Sequence, residues 1–151
     1  MAEKFSRVIQ IRWADIDANR HLRHSAYYDY GATLRMMFFG ENGLSTQKLE
    51  ELQIGPILFR EEAIFRREIR LEDKVTVDVA LVRATPSYSR WSFRHNFTKA
   101  DGSLAAIINI DGAWIDLVKR KLTVPGEFVQ AMLERCPRSE DFQFTTIEKR
   151  V

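Results

Sequence analysis

The chain has 151 residues, 45% hydrophobic and 29% charged, with a formal net charge of +2, which predicts one soluble globular domain without a disordered tail. Its basic residues are scattered, excluding the concentrated positive field that nucleic-acid affinity needs; its single cysteine, Cys136, excludes an internal disulfide framework and any multi-cysteine metal site. The opening "MAEKFSRVIQIRW" alternates where a signal peptide needs an unbroken apolar core, and no apolar run reaches a membrane span, so the expected location is cytoplasmic.

In chain order, Ile9, Ile11 and Trp13 share one face of a period-two pattern, predicting a first strand over about 5–13. From Ser25 the spacing turns helical, with Tyr27, Tyr30, Leu34, Met37 and Phe38 as a stripe and Gly40 as the C-terminal stop. Gly31 weakens that helix unless something must approach its backbone closely. "STQKLEELQ" predicts a short helix capped by Ser45. Period two then returns. Ile57, Phe59, Ala63, Phe65 and Ile69 form one row opposed by Arg60, Glu62, Arg66 and Glu68; Val75, Val77, Val79 and Leu81 form another; Trp91, Phe93, His95 and Phe97 a third. "DGS" at 101–103 predicts a hairpin turn into "LAAIINIDGAWIDLV", apolar on both faces and so internal to the sheet, with Gly112 marking a bulge or bend. "PGEFVQAMLER" predicts a last short helix opened by Pro125, and Cys136 falls in a polar tail. One long helix must cover the apolar face of an antiparallel meander, so the predicted architecture is α+β, a sheet curled around that helix.

The chemistry gathers in "ADIDANRHLRHSAYYDYGATLR", residues 14–35. Asp15 and Asp17 alternate, so they point apart and take different jobs. Asp15 is read as a turn acid accepting backbone N–H bonds, and Asp17 as a base, nucleophile or orienting acid. His21 and His24 are either turn residues bonded locally or assistants to that acid. Their spacing with the aspartates matches no strong metal signature, and no metal or cofactor is predicted. His24 precedes the helix, where unsatisfied N–H groups and the positive dipole end can polarise a carbonyl oxygen. His95, one member of an apolar row, is read as a hydrogen-bonded core or interface histidine.

Taken together, Arg12, Trp13, Asp15, Asp17, Tyr27, Tyr30 and Arg35 within "RWADIDANRHLRHSAYYDYGATLR" resemble the signature segment of the hotdog-fold acyl-CoA thioesterases, the 4-hydroxybenzoyl-CoA thioesterase-like group. "IGPILFREEAIFRREIRLEDKVTV", "DGSLAA" and "AWIDLVKRKLTVPGEF" resemble its later strands and C-terminal helix, extending the likeness from about 8 to 133. The resemblance implies a five-stranded antiparallel sheet wrapped around the long helix, in a homodimer or a tetramer built from dimers, with sites at the subunit boundary. It also implies hydrolysis of an acyl-CoA thioester by Asp17 with help from His21 or His24, the carbonyl held by the N–H of His24, with Ser25 and Ala26 as neighbouring donors. Ser25, Tyr27, Tyr28, Phe59 and Arg90 are the expected substrate-binding residues. An acyl-carrier-protein substrate, or a non-catalytic acyl binder, is the alternative. Arg20 stands where many relatives have glycine, and Arg20 and Arg23 are expected to pair with Asp17.

Overall fold

The computed structural model describes residues 3–145. Its elements are β1 (Phe5–Ile9), a 3-10 turn (Trp13–Asp15), α1 (Ala26–Glu41), α2 (Thr46–Leu52), β2 (Ile54–Phe65), β3 (Val75–Ala84), β4 (Arg90–Lys99), β5 (Leu104–Asp116), β6 (Lys121–Thr123), α3 (Glu127–Glu134) and β7 (Arg138–Phe144). The predicted five strands form an antiparallel path β1-β3-β4-β5-β2, and two unpredicted strands extend it: β6 pairs with β5, and β7 runs parallel to β3.

Strict alternation made the interior strands. Val75, Val77, Val79 and Leu81 of β3 and Trp91, Phe93, His95 and Phe97 of β4 are all buried, placing one face of each strand against α1. That helix buries Tyr27, Gly31, Leu34, Arg35, Phe38 and Phe39, while Met37 is partly exposed, so the predicted stripe is rotated toward Arg35 and Phe39. Gly31 is needed where His95 sits: a Cβ there would stand 3.0 Å from the ring's Cδ2. His95 Nδ1–H donates to the Asp78 carbonyl (2.7 Å) and Nε2 accepts from Arg35 Nη1 (2.9 Å). Burial, reinforced by the Arg35 charge, pushes its pKa down to about 3, so it is a neutral core histidine.

Five local expectations are corrected. β1 ends at Ile9, because its partner β3 begins at the opposing Val75, and Trp13 turns to solvent in the 3-10 turn. Helix α1 runs past Gly40 to Glu41; Gly43, at φ +90°, takes the left-handed conformation. The bulge lies in β2, at Phe59, between the pairs Leu58–Gly112 and Arg60–Asp111, and it moves Phe59 out of register with its predicted row. Gly112 is glycine because a Cβ would collide with the Ile57 carbonyl and the Trp91 ring. Pro125 precedes the Gly126 N-cap of α3, and Cys136 beyond that helix is fully buried, its thiol pushed up to about 12 by desolvation. It is a core side chain.

Candidate active site

Asp15 and Asp17 leave the 3-10 turn in different directions. Asp15 is buried and receives Arg12 Nε (2.9 Å), Arg12 Nη2 (3.0 Å), Arg23 Nη2 (2.9 Å) and the Tyr30 hydroxyl (2.8 Å). The Arg12 hydrogen bond leads the effects that hold its carboxyl at about 2, against the opposing pull of burial. Its predicted partners, backbone amides, are replaced by side-chain donors. Its own carbonyl accepts the Arg23 N–H (2.8 Å), so Asp15 fastens the segment after β1 to the start of α1.

Asp17 opens a tight turn. Its N–H donates to the His21 carbonyl and its carbonyl accepts from Arg20, both at 3.0 Å. Arg20, the residue read as standing in place of a glycine, sits at φ +69°, so the turn keeps a left-handed residue there at a cost of about 1 kcal/mol. Asn19 N–H donates to Asp17 Oδ1 (2.9 Å), while Oδ2 stands 3.9 Å from His21 Nδ1. The expected pairing of Asp17 with arginine is not what forms: Arg23 is bound to Asp15 and to Ser25 Oγ (2.5 Å), and among the described residues no arginine lies within ion-pair distance of Asp17. Its carboxylate, about 30% exposed, faces a cleft.

That cleft, about 410 Å³, brings together Asp17, His21, His24 and Tyr27 from the loop and helix with Phe65, Arg66 and Arg67 from the end of β2. Tyr27 forms its floor, buried and T-shaped against Phe65 at 5.0 Å; burial first, and the Asp17 charge second, push its phenol up to about 12, keeping it a protonated donor. At the start of α1 the Ala26 N–H is taken by the Arg23 carbonyl (3.1 Å), which removes Ala26 from the donors. Among the described residues the N–H groups of His24 and Ser25 have no hydrogen-bond acceptor, so they are the amides open to an oxyanion.

Other expected residues are not brought there. Tyr28 is half-buried against the core and lies off the cleft wall. Ser25 is exposed, its hydroxyl held by Arg23. Phe59 and Arg90 line a separate hollow of about 220 Å³, the Arg90 guanidinium 5.4 Å over the Phe59 ring. Phe59 and Phe65 stand six residues apart on β2, roughly 20 Å along the strand. A groove of about 510 Å³ between β1 and α1 carries Asp15 but neither histidine. Phe65, Arg66 and Arg67 were missed as cleft residues; the only signal was weak, since Arg67 interrupts the apolar odd row but so does Glu61. Among the described residues no three of His, Cys, Asp and Glu cluster as metal ligands.

A family model described as the thioesterase-like superfamily matches residues 11–133. No curated protein sequence matches the chain. A Staphylococcus aureus protein solved in complex with CoA superposes at TM-score 0.83 with 20% identity over 99% of this chain and 92% of its own. A 1,4-dihydroxy-2-naphthoyl-CoA thioesterase from Synechocystis gives 0.77 and 16% over 87% of this chain and 96% of its own. The chain spans about half, 55%, of a candidate oleoyl thioesterase from Lactobacillus plantarum, at TM-score 0.83 and 15% identity over 99% of this chain. At these identities the structural likeness establishes the fold, the hotdog fold.

Proposed function

We propose, from the premise that this chain belongs to the thioesterase-like superfamily, that it hydrolyses an acyl-CoA thioester to the free acid and CoA in the Asp17 cleft. The observation that carries this reading is the Asp17 carboxylate, about 30% exposed, in one cleft with His24, whose helix-start N–H, like that of the neighbouring Ser25, has no acceptor among the described residues. The thioester carbonyl oxygen would accept from those amides, which stabilise the charge that develops on it. Asp17 either takes a proton from water, whose oxygen adds to the carbonyl carbon, or adds directly to give an anhydride that water then opens. In both routes the C–S bond breaks and the thiolate leaves to be protonated. His21, 3.9 Å from Asp17 in the unliganded cleft, lies within reach for a small approach on binding.

A homodimer joined along β2 is part of the proposal. β2 ends the five-strand path and exposes Leu58, Phe59, Ile64 and Phe65, a liability that pairing with a second copy removes. Antiparallel pairing would set the Phe59 end of one β2 beside the Phe65 end of the other, joining the two hollows that one chain keeps apart. Arg23 is engaged by Asp15 and not by Asp17, which favours a reacting acid over the non-catalytic acyl binder.

The test follows free thiol from a panel of acyl-CoAs, wild type beside Asp17→Asn. Release by the wild type, lowered about 10²- to 10⁴-fold in the variant, is expected; release from no substrate, or an undiminished variant, overturns the reading.

A further inference from the structure

We propose that Arg66 and Arg67 form an anion subsite that holds the phosphate groups of the thioester's carrier, an inference that rests on the hydrolase reading above. Consecutive strand residues normally face opposite ways, yet these two line the same cleft as Asp17. The reason is local: β2 ends at Phe65, and the Arg66 and Arg67 N–H groups both donate to one carbonyl, that of Ala105, at 2.8 and 3.0 Å. The chain stops alternating, and both side chains stay on the cleft side.

Both arginines are exposed. Among the described residues neither guanidinium has a carboxylate within ion-pair distance, whereas Arg7, Arg12, Arg23, Arg60, Arg70 and Arg94 each do. Asp101 feels the Arg67 charge only after its own bonds to Ser103 and the influence of Lys99, and Glu68, the acid on the same cleft wall, lies against Arg70 at 3.6 Å. Two unneutralised guanidiniums side by side are a forked donor set for phosphate oxygens.

Their position also fits a long ligand. Phe65, Arg66 and Arg67 are shared by the Asp17 cleft and by an adjoining hollow of about 770 Å³ that continues to Ser103 and Leu104. A carrier arm leaving the thioester at Asp17 would cross Phe65 and meet the arginines before the second hollow. A carboxylate on the acyl group could reach the same pair, so the test separates carrier phosphate from other anions.

The full chain is titrated calorimetrically with CoA, 4′-phosphopantetheine and pantetheine, using wild type, Arg66→Gln, Arg67→Gln, the double variant and Arg120→Gln as an exposed control. Wild type should hold the phosphate-bearing ligands at least about ten-fold more tightly than pantetheine, each single substitution weakening them about ten-fold and the double variant removing the advantage. Pantetheine binding and the Arg120→Gln titration should not move. An advantage for CoA but not for phosphopantetheine still supports the subsite and places it on the nucleotide phosphates. A wild type that prefers neither phosphate ligand, or a double variant that keeps the preference, overturns it. The hydrolase reading is judged apart, on an acyl N-acetylcysteamine thioester, which has no phosphate: silence there beside intact phosphate-dependent binding defeats hydrolysis alone, and turnover there without a phosphate preference defeats the arginine subsite alone.

Discussion

Two carboxylates one residue apart end in opposite states. Asp15 is buried under two guanidiniums and a phenol; Asp17 keeps one oxygen on an Asn19 amide and turns the rest to an open cleft. The difference comes from the turn between them. The 3-10 turn closes with the Ile16 N–H on the Trp13 carbonyl (3.1 Å), and the isolated bridge between Ile16 and Leu22 then sends Asp17 outward. A saturated acid makes a structural fastening, and an unsaturated one next to free amides is chemically available. The residue type is the same in both places, and the number of donors already satisfied decides the role.

Exchanging each acid for its amide sharpens that contrast. Asp17→Asn should lower thiol release about 10³-fold, yet leave the unfolding free energy measured in urea within about 0.5 kcal/mol of wild type, because asparagine's carbonyl can still accept the Asn19 N–H. Asp15→Asn should do the reverse in stability. An amide turns an NH₂ group toward the donors of Arg12 and Arg23 and leaves both cations uncompensated, at a cost of about 3 kcal/mol, the low end for such a loss because Arg12 and Arg23 are partly exposed. Equal denaturation midpoints for the two variants would break the distinction.

The same contrast marks what the sequence could tell. Strands β3 and β4 were legible because one face of each is buried and the other is not, leaving alternation in the residues. That Asp15 and Asp17 face different surroundings was legible from parity alone. Their partners were not: Arg23 lies nearer Asp17 in sequence, and only the fold brings it to Asp15. Likewise β7, "RSEDFQF", is polar enough to read as tail, since it joins the sheet by pairing with β3 and leaning Phe142 on the core. A bulge at Phe59 or two amides sharing the Ala105 carbonyl are backbone events that no side-chain pattern announces, so Phe59 was read in one row with Phe65, and Arg66 and Arg67 were not read as neighbours of Asp17.

Acid exposes the fastening next. A carboxyl held at about 2 in the folded chain, against an ordinary value of 3.8, stabilises the fold fully above about pH 4 and loses that contribution as the pH falls through 2. The stability advantage of wild type over Asp15→Asn should therefore shrink by about 2 kcal/mol between pH 5 and pH 2. Subtracting the variant's denaturation curve removes the other depressed acids, Asp73, Asp101, Asp116 and Asp141, from the comparison.

The smallest expected effect tests whether the fastening reaches the site. Tyr30→Phe removes one hydroxyl that donates to Asp15 Oδ2 and accepts the Arg12 N–H at 3.2 Å, while both guanidiniums stay in place. The loss should be about 1 kcal/mol at neutral pH, with thiol release changed less than about three-fold, because Asp17 hangs on its own turn bonds to Asn19, Arg20 and His21. If Tyr30→Phe instead lowered turnover as far as Asp17→Asn does, the two acids would be one mechanical unit, and the division between a holding carboxylate and a reacting one would be wrong.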